Sequence, residues 1–460
     1  MKQASASLIS SDASMARTVL WLASPVLVEQ TLLYLVGVSD TLLTGHFLAE
    51  EHLAAVTIAS YLLWFLGCIL TVVSVGASAL VARLIGQGDP HLASRICQRA
   101  IGLALIIGTV TFLAGWVTAP WIVSVMNVTG STASLTVQFL RIVLIVTPLL
   151  ACTTVGNACL RGAGDTRTGM WVMILVNLVN VGLSWALLMG LAPFPRLGFR
   201  GIATGTAVGE GVGGLVILCI LARGRSGLKL SWQGLIPVGH DVRRILRISL
   251  PAAGESLTNL LGQLTFLSLI NRLGDTATAA HGVAIRCEAI AFLTITAFSV
   301  AASTLTGQFL GARRPDLARS GAMTAWTLGA ITLSLMGVLI YLLAGPMFLM
   351  FTGGRQPEVV AIGAPVLQVV AFAMPALATI NVLNGALRGA GDTRWPWYFA
   401  LIGYVLVRLP LTYVVTMPGV GEGGLWGLHG AWIAMLLDLY ARAILITARF
   451  LHGGWKSATV

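Results

Sequence analysis

The sequence predicts an all-α polytopic membrane protein, with twelve transmembrane helices in two six-helix bundles that are related by a parallel internal repeat. Three observations predict this fold class: the composition, the spacing of the apolar runs and a motif that occurs twice. Of the 460 residues, 57% are hydrophobic and only 10% are charged, and the mean hydropathy is +0.88. A soluble globular domain carries roughly 25% charged residues, so this composition excludes a soluble protein.

The apolar runs follow one another at the spacing of a multi-pass protein. A bilayer core about 30 Å thick needs about 20 residues of helix, and twelve runs of roughly that length or more occur. The predicted spans are 19–45, 53–85, 96–118, 133–157, 168–191, 200–222, 247–271, 278–310, 320–350, 361–386, 396–416 and 427–450. The polar N-terminus enters the first span without a small-residue cleavage pattern, so we expect that span to be retained.

The basic residues are distributed asymmetrically over the loops, as they are in membrane proteins that keep Lys and Arg in the cytoplasm. If the first span leaves the cytoplasm, all but seven of the 28 basic residues fall on the cytoplasmic side. The seven exceptions are Arg141, Arg196, Arg200, Arg272, Arg286, Arg355 and Arg408. We therefore expect a plasma (inner) membrane protein with both termini in the cytoplasm. The net charge of +11 then requires no nucleic acid partner.

An eight-residue motif appears once in each half of the chain. LRGAGDTR occupies residues 160–167 and again 387–394, an offset of 227. Pro25 and Glu29 in the first span likewise match Pro251 and Glu255 in the seventh, at an offset of 226. A shift by six spans keeps the membrane orientation, so the halves are parallel repeats. The predicted domains are a bundle at 1–222, a basic cytoplasmic linker at 223–246 and a bundle at 247–460.

The repeated pattern NxxLRGxGDTR, together with VGVSDTLLTGHF at residues 36–47, closely resembles the multidrug and toxic compound extrusion (MATE) family. The resemblance covers essentially the whole chain. It implies a secondary antiporter that exports drugs or metabolites against an inward flow of protons or sodium. We expect cationic or amphipathic small-molecule substrates, contacts with membrane lipids, a monomer and no cofactor.

Polar side chains in the first and fifth spans form the predicted ion-coupling site. Asp40 lies in an apolar span, where an ionised carboxylate is costly, so we expect it to face a cavity or polar partners and to exchange protons. Asn177, Asn180 and Ser184 are spaced to share one face of the fifth helix. The alternative is a structural role, in which these Asn and Ser side chains form hydrogen bonds between helices. Family members often have an Asp four residues after the equivalent of Asn180, whereas this chain has Ser184, which favours protons over sodium.

A substrate cleft is predicted between the two bundles, because transporters of this plan place their sites there. Its candidate residues are Glu255, Asn259, Tyr34 and Met374. Some relatives use an acid at the position of Glu255 to hold cations, although a carboxylate near a span end can also reach interfacial water. The tenth span has no acid, so relatives that use an Asp there are no guide to this chain.

The remaining charged residues are interpreted mainly as structural. In the repeated loops, Asp165 and Asp392 are expected to cap the next helix, while Arg161 and Arg388 contact lipid head groups in structural or gating roles. Arg408 is expected to satisfy carbonyls freed by Pro410. Asp438 and Arg442, four residues apart, are expected to form an intrahelical pair, whereas Glu210, Arg286 and Glu288 have no assigned role.

Two other functions are weighed against efflux. A lipid-linked oligosaccharide or other lipid flippase has the same two-bundle plan, but it would need a basic cavity for pyrophosphate, and no Lys or Arg cluster accompanies Asp40. An intramembrane hydrolase would need a pattern such as HExxH or GxSxG, which the chain lacks. The Gly-rich loops lack GxxxxGK[ST] spacing, so we expect no nucleotide. The six cysteines form no CxxC pair, and no metal site is predicted.

Overall fold

The structure, a computed structural model, describes residues 14–354, 356–417 and 426–458. Arg355, one of the seven basic exceptions, lies outside them, as do the N-terminal residues 1–13. We number the long helical segments α1–α12, and each broken segment has one number. They are α1 Met15–Phe47, α2 Glu50–Gly86, α3 Pro90–Val125, α4 Gly130–Gly162, α5 Thr166–Met189, α6 Phe199–Arg223, α7 Gly239–Asn271, α8 Asp275–Gly311, α9 Pro315–Thr352, α10 Pro357–Ala390, α11 Arg394–Val415 and α12 Trp426–His452.

The helical segments confirm the predicted all-α polytopic membrane fold. Ten helices in the described ranges are long and apolar enough to cross a membrane, and the bent α4 makes an eleventh. The remaining segment, α7, has a similar length but does not meet that apolar criterion. This helix begins inside the predicted polar linker, and its first turns carry Asp241, Arg243, Arg244 and Arg247.

The chain divides into two compact units. The first contains Ser24–Ser249, and the second contains the described part of Leu250–Val460 together with the start of α1 up to Ala23. In the first unit α5 packs on α6, and the second half of α4 packs on α2, α3 and α6. In the second unit α10 packs on α8, α9 and α12. The unit boundary falls three residues after the predicted start of the second bundle at 247.

The predicted linker packs on the start of α3 within the first unit. Gln98 donates a hydrogen bond to the carbonyl of Lys229 (2.8 Å), and the Ser94 hydroxyl donates one to the carbonyl of Gly227 (3.0 Å). The guanidinium of Arg99 donates to the carbonyl of Gly234 (2.9 Å). These bonds satisfy linker carbonyls that have no helical partner, so this segment has a defined conformation.

The two glycines of the repeated motif occupy positions where a side chain would disturb the structure, and this holds in both repeats. A Cβ at Gly162 would lie 2.5 Å from the carbonyl oxygen of Ser78 on α2, and Gly389 meets the carbonyl of Ser303 on α8 in the same way. The motif's second glycine ends the helix with a positive φ, 89° at Gly164 and 86° at residue 391. A side chain at the first position would separate two helices, and one at the second would strain the turn.

Two helices depart from regular geometry. Helix α4 bends by 56° between Leu144 and Thr147, just before Pro148, which cannot donate the backbone hydrogen bond of a continuous helix. Helix α11 contains a π-helical turn over Gly403–Arg408, immediately before Leu409 and Pro410. Such turns often occur where a helix positions a functional side chain, and this one positions Arg408.

Candidate functional site

Asp40 lies in a buried polar cluster formed by α1, α5 and α6 within the first unit. Its residue is only 4% exposed. One carboxylate oxygen accepts a hydrogen bond from the Asn180 amide nitrogen (3.3 Å), and the other accepts one from the Thr206 hydroxyl (2.7 Å). The Ser39 hydroxyl lies 3.0 Å from the Asn180 amide oxygen and 2.8 Å from the backbone carbonyl oxygen of Val36. Two predicted ion-coupling residues, Asp40 and Asn180, are therefore in direct contact.

Thr206 was not among the predicted site residues, and Glu210 had no predicted role. Thr206 donates to Asp40 and also lies 2.9 Å from the Asn180 amide nitrogen. Glu210, one turn further along α6, is buried and interacts electrostatically with Asp40. Glu210 therefore brings a second buried acidic side chain to the α6 face of this cluster. The sequence did contain a sign of this, because Thr206 and Glu210 are four residues apart and so share one polar face of the otherwise apolar α6.

Asn177 and Ser184 lie on the same helix but do not bond to Asp40. The Asn177 amide donates to the backbone carbonyls of Leu32 (3.0 Å) and Met173 (2.9 Å). Ser184 is fully buried and donates to the backbone carbonyl of Ile202 (3.2 Å). In the structure these two side chains link helices, which was the alternative weighed for them.

A groove between α1 and α5 lies beside the Asp40 cluster. It has a volume of about 560 Å³ and is lined mainly by aliphatic side chains. Ser39 and Asn177 provide its polar atoms, and Ser39 connects it to Asn180 and so to Asp40. A mostly apolar cavity with a few polar groups is the usual form of a small-molecule site.

The acidic residues Glu29 and Glu255 have equivalent partners in the two repeats. Glu29 accepts hydrogen bonds from Arg161 (2.8 Å) and from Asn157 (3.3 Å), both on α4. Glu255 accepts them from its repeat counterparts on α10, Arg388 (2.8 Å) and Asn384 (3.0 Å). Both carboxylates are buried.

These pairings correct the prediction that Arg161 and Arg388 contact lipid head groups. Each guanidinium instead compensates a buried carboxylate and ties the first helix of its repeat to the fourth. The sequence held a signal for this pairing, because Glu29, Asn157 and Arg161 all recur at offsets of 226 or 227. Three polar residues that repeat together in apolar spans indicate a shared contact.

The aspartates of the repeated loops bind basic residues at the ends of α6 and α12. Asp165 caps α5 as predicted, accepting from the backbone and hydroxyl of Thr168 (3.0 and 2.8 Å), and it also pairs with Arg225 (2.7 Å). Burial opposes ionisation of Asp165, but the hydrogen bonds from Arg225 and Thr168 outweigh it and lower the pKa of this carboxyl. Asp392 pairs with Arg449 (2.8 Å). The next helix has Thr393 at its N-cap position and no side-chain cap, so the capping prediction is wrong for Asp392.

The second repeat replaces the Asp40 site with a different pair at matching positions. Phe266 lies 226 residues after Asp40, and Arg408 lies 228 after Asn180, the one extra residue being accommodated by the π-helical turn. The Arg408 guanidinium lies 5.6 Å from the centre of the Phe266 ring. The same two positions thus meet in both units, as carboxylate and amide in one and as aromatic ring and cation in the other.

Arg408 was predicted to satisfy backbone carbonyls near Pro410, and the structure contradicts this prediction. Its guanidinium pairs with Asp438, with contacts of 2.7 and 2.8 Å, and lies 4.5 Å over the ring of Tyr404. Asp438 also pairs with Arg442 (2.7 Å), which confirms the predicted intrahelical pair. Arg442 in turn donates to Asn259 (3.4 Å), which ties this predicted cleft residue to the buried charge cluster.

The other two predicted cleft residues differ in exposure. Tyr34 is 54% exposed, whereas Met374 is fully buried and packs against Gly337 on the neighbouring helix. Met374 is therefore a packing residue inside the second unit, while about half of the Tyr34 side chain is left uncovered by its own unit. Within the described ranges, no group of three or more His, Cys, Asp or Glu residues is arranged to hold a metal ion.

Comparison with known proteins supports the transporter architecture. The MatE family model matches residues 25–186 and 251–414, once in each repeat. A probable multidrug resistance protein NorM of Thermotoga maritima is 29% identical over 95% of this chain and 93% of its own. The multidrug resistance protein MdtK of Yersinia pestis is 26% identical, over 94% of each chain.

Solved structures share the fold at lower identity. An outward-facing multidrug resistance MATE family transporter superposes with a TM-score of 0.87 and 20% identity, over 97% of this chain and 98% of that one. A transporter of the MOP superfamily from Pyrococcus furiosus gives the same TM-score at 19% identity, with the same coverage. Both halves match the family model and the helical plan agrees, so the chain belongs to the MatE family: it is a multi-pass MATE transporter, not an enzyme.

Proposed function

We propose that the protein is a multidrug efflux antiporter that exports organic cations or toxic metabolites in exchange for inward protons, by alternating access. The observation that carries this proposal is the burial of the Asp40 carboxyl group without a basic partner among the described residues. Its carboxyl is buried, and each oxygen accepts a hydrogen bond from a neutral donor. Among the described residues no basic side chain pairs with it. A proton or a cationic substrate can supply the missing positive charge, and exclusion of one by the other couples their fluxes.

The donor set around Asp40 favours protons over sodium. A sodium ion needs several hard oxygen ligands with enough negative charge to offset its dehydration. Asn180 directs its amide nitrogen to Asp40 (3.3 Å) and its amide oxygen to Ser39 (3.0 Å). The Ser184 hydroxyl is directed to the Ile202 carbonyl, so it adds no oxygen to the site. A proton needs no such set of ligands, because it binds a single carboxylate oxygen.

The groove between α1 and α5 supports an amphipathic substrate. Its aliphatic lining suits an apolar body, and Ser39 and Asn177 provide polar contacts near the Asp40 cluster. We assign recognition of the positive charge to Asp40 rather than Glu255, because Arg388 already compensates Glu255. The names of the relatives NorM and MdtK as multidrug resistance proteins support the same substrate class.

Transport in proteoliposomes tests this function. We expect ethidium efflux to follow an imposed pH gradient in sodium-free buffer and to be absent under a sodium gradient at equal pH. Asp40→Asn should abolish coupled efflux, because the amide keeps the shape but cannot exchange a proton. Asp316→Asn, at an exposed carboxylate, is the matched control and should retain wild-type efflux. Efflux driven by sodium alone would refute proton coupling, and lipid translocation without either gradient would support a flippase.

A further inference from the structure

A second cavity in the first unit lies away from Asp40, where the end of α3 meets the first half of α4 and the start of α6. It has a volume of about 690 Å³. Its lining includes Trp116, Gln138, Arg141, Ile145 and Arg200. On the predicted topology, this end of the three helices faces the outside. The efflux mechanism does not use the cavity.

The cavity contains two positive charges without a negative one. No carboxylate lines it, and in the described part of the chain neither guanidinium makes an ion pair or a hydrogen bond. The Nε atom of Arg141 is buried without a partner, and its guanidinium lies 5.4 Å from the centre of the Trp116 ring. A guanidinium with a buried nitrogen that has no partner is costly unless an anion compensates its charge.

The surroundings of the cavity indicate that the anion is part of a lipid. Trp116 and Trp121 are exposed on α3, and tryptophan is enriched at the depth of the lipid head groups. Ile145 lines the cavity and is also exposed, so apolar surface continues outward from the two arginines. A molecule that joins an anionic head to an apolar chain matches both parts of this surface, whereas a free inorganic anion matches only one.

We propose that this cavity binds the phosphate of an anionic phospholipid, with the phosphate between Arg141 and Arg200 and the acyl chains along the apolar wall near Ile145. Guanidinium groups bind phosphate oxygens through paired, charge-assisted hydrogen bonds, which a neutral side chain cannot replace. This site is independent of the proposed ion coupling at Asp40. It would make the transporter's stability respond to the anionic lipid content of the membrane.

The test measures binding of dioctanoyl phosphatidylglycerol to the purified full-length protein in detergent, by native mass spectrometry and by thermal shift. We expect saturable binding to the wild type that weakens about tenfold or more in Arg141→Gln and in Arg200→Gln. Arg272→Gln is the matched control, because Arg272 is also exposed and lies 5.9 Å from the Tyr413 ring centre, but outside this cavity. It should bind the lipid as the wild type does.

Further ligands and variants separate the possible sources of the anion. Dioctanoyl phosphatidylcholine should bind more weakly, because its ammonium group is repelled by the arginines. Arg141→Lys keeps the charge and should retain more binding than Arg141→Gln, which controls for a folding defect. Wild-type affinity in the Arg141→Gln and Arg200→Gln double variant would overturn the proposal. Inorganic phosphate that binds as tightly as the lipid would overturn its assignment to a phospholipid.

Discussion

Asp438→Asn tests whether one buried carboxylate neutralises two arginines in the second unit. Asp438 is completely buried, and a single oxygen of it lies 2.7 Å from both Arg408 and Arg442. Arg408 is itself only 2% exposed. The amide that replaces the carboxylate cannot compensate the charge of either guanidinium. Removal of one partner from a buried ion pair costs about 3–5 kcal/mol, so we expect a loss of that size in the free energy of unfolding.

The loss can be measured by equilibrium unfolding in mixed micelles of mild detergent and SDS, followed by tryptophan fluorescence. Asp316→Asn, at an exposed site, should change the free energy of unfolding by less than about 0.5 kcal/mol. Arg442→Met leaves Arg408 and Asp438 as a one-to-one pair and should cost less than Asp438→Asn. A loss below about 1 kcal/mol in Asp438→Asn, the scale of an exposed ion pair, would refute the argument that this carboxylate neutralises both arginines.

Three further substitutions probe the other polar contacts. Thr206→Val removes the 2.7 Å donor to Asp40 and should slow proton-driven efflux about tenfold in proteoliposomes; an unchanged rate would exclude Thr206 from the site. Glu255→Gln leaves Arg388 without its carboxylate and should lower the unfolding free energy by about 1–3 kcal/mol in the same SDS titration, while wild-type stability would contradict the pairing. Asp165→Asn should lower the free energy of unfolding, and the full difference from the wild type should be present at pH 7. Because folding lowers the pKa of Asp165, that difference should shrink as pH falls below about 3.9 through the folded value, and a difference independent of pH would contradict this.

The helices and the repeat were predictable because their signals are local or duplicated. Long apolar runs predict spans from composition alone, and LRGAGDTR recurs as eight identical residues. The bend in α4 and the π-helical turn at Gly403–Arg408 do not change hydropathy, so the predicted spans missed both. Helix α7 shows the opposite limit, because a span was predicted there although polar side chains such as Glu255, Asn259 and Gln263 make even its arginine-free part less apolar than the other spans.

The polar contacts were predictable only where the residue types limited the choice of partner. An aspartate in an apolar span has few possible partners, so Asp40 and Asn180 were placed together. Thr206 was missed because hydroxyl groups are common in spans and usually bond to their own helix, as Thr206 also does with Ile202. Arg161 was assigned from its own loop, although its partner Glu29 lies 132 residues earlier in the chain. Contacts between distant segments require the fold.

The close packing at Ser184 restricts which side chains this position could carry. A Cβ at Gly205 would collide with Ser184, so α5 and α6 touch there and leave no space for a larger side chain. Ser184→Asp would have to separate the two helices and break the bond to Ile202 at the same time. An Asp at position 184 would therefore first need changes in α6 that make room for it. A larger side chain at position 184 is thus tied to changes in α6, and the order in which the two occur would decide whether the intermediate protein folds.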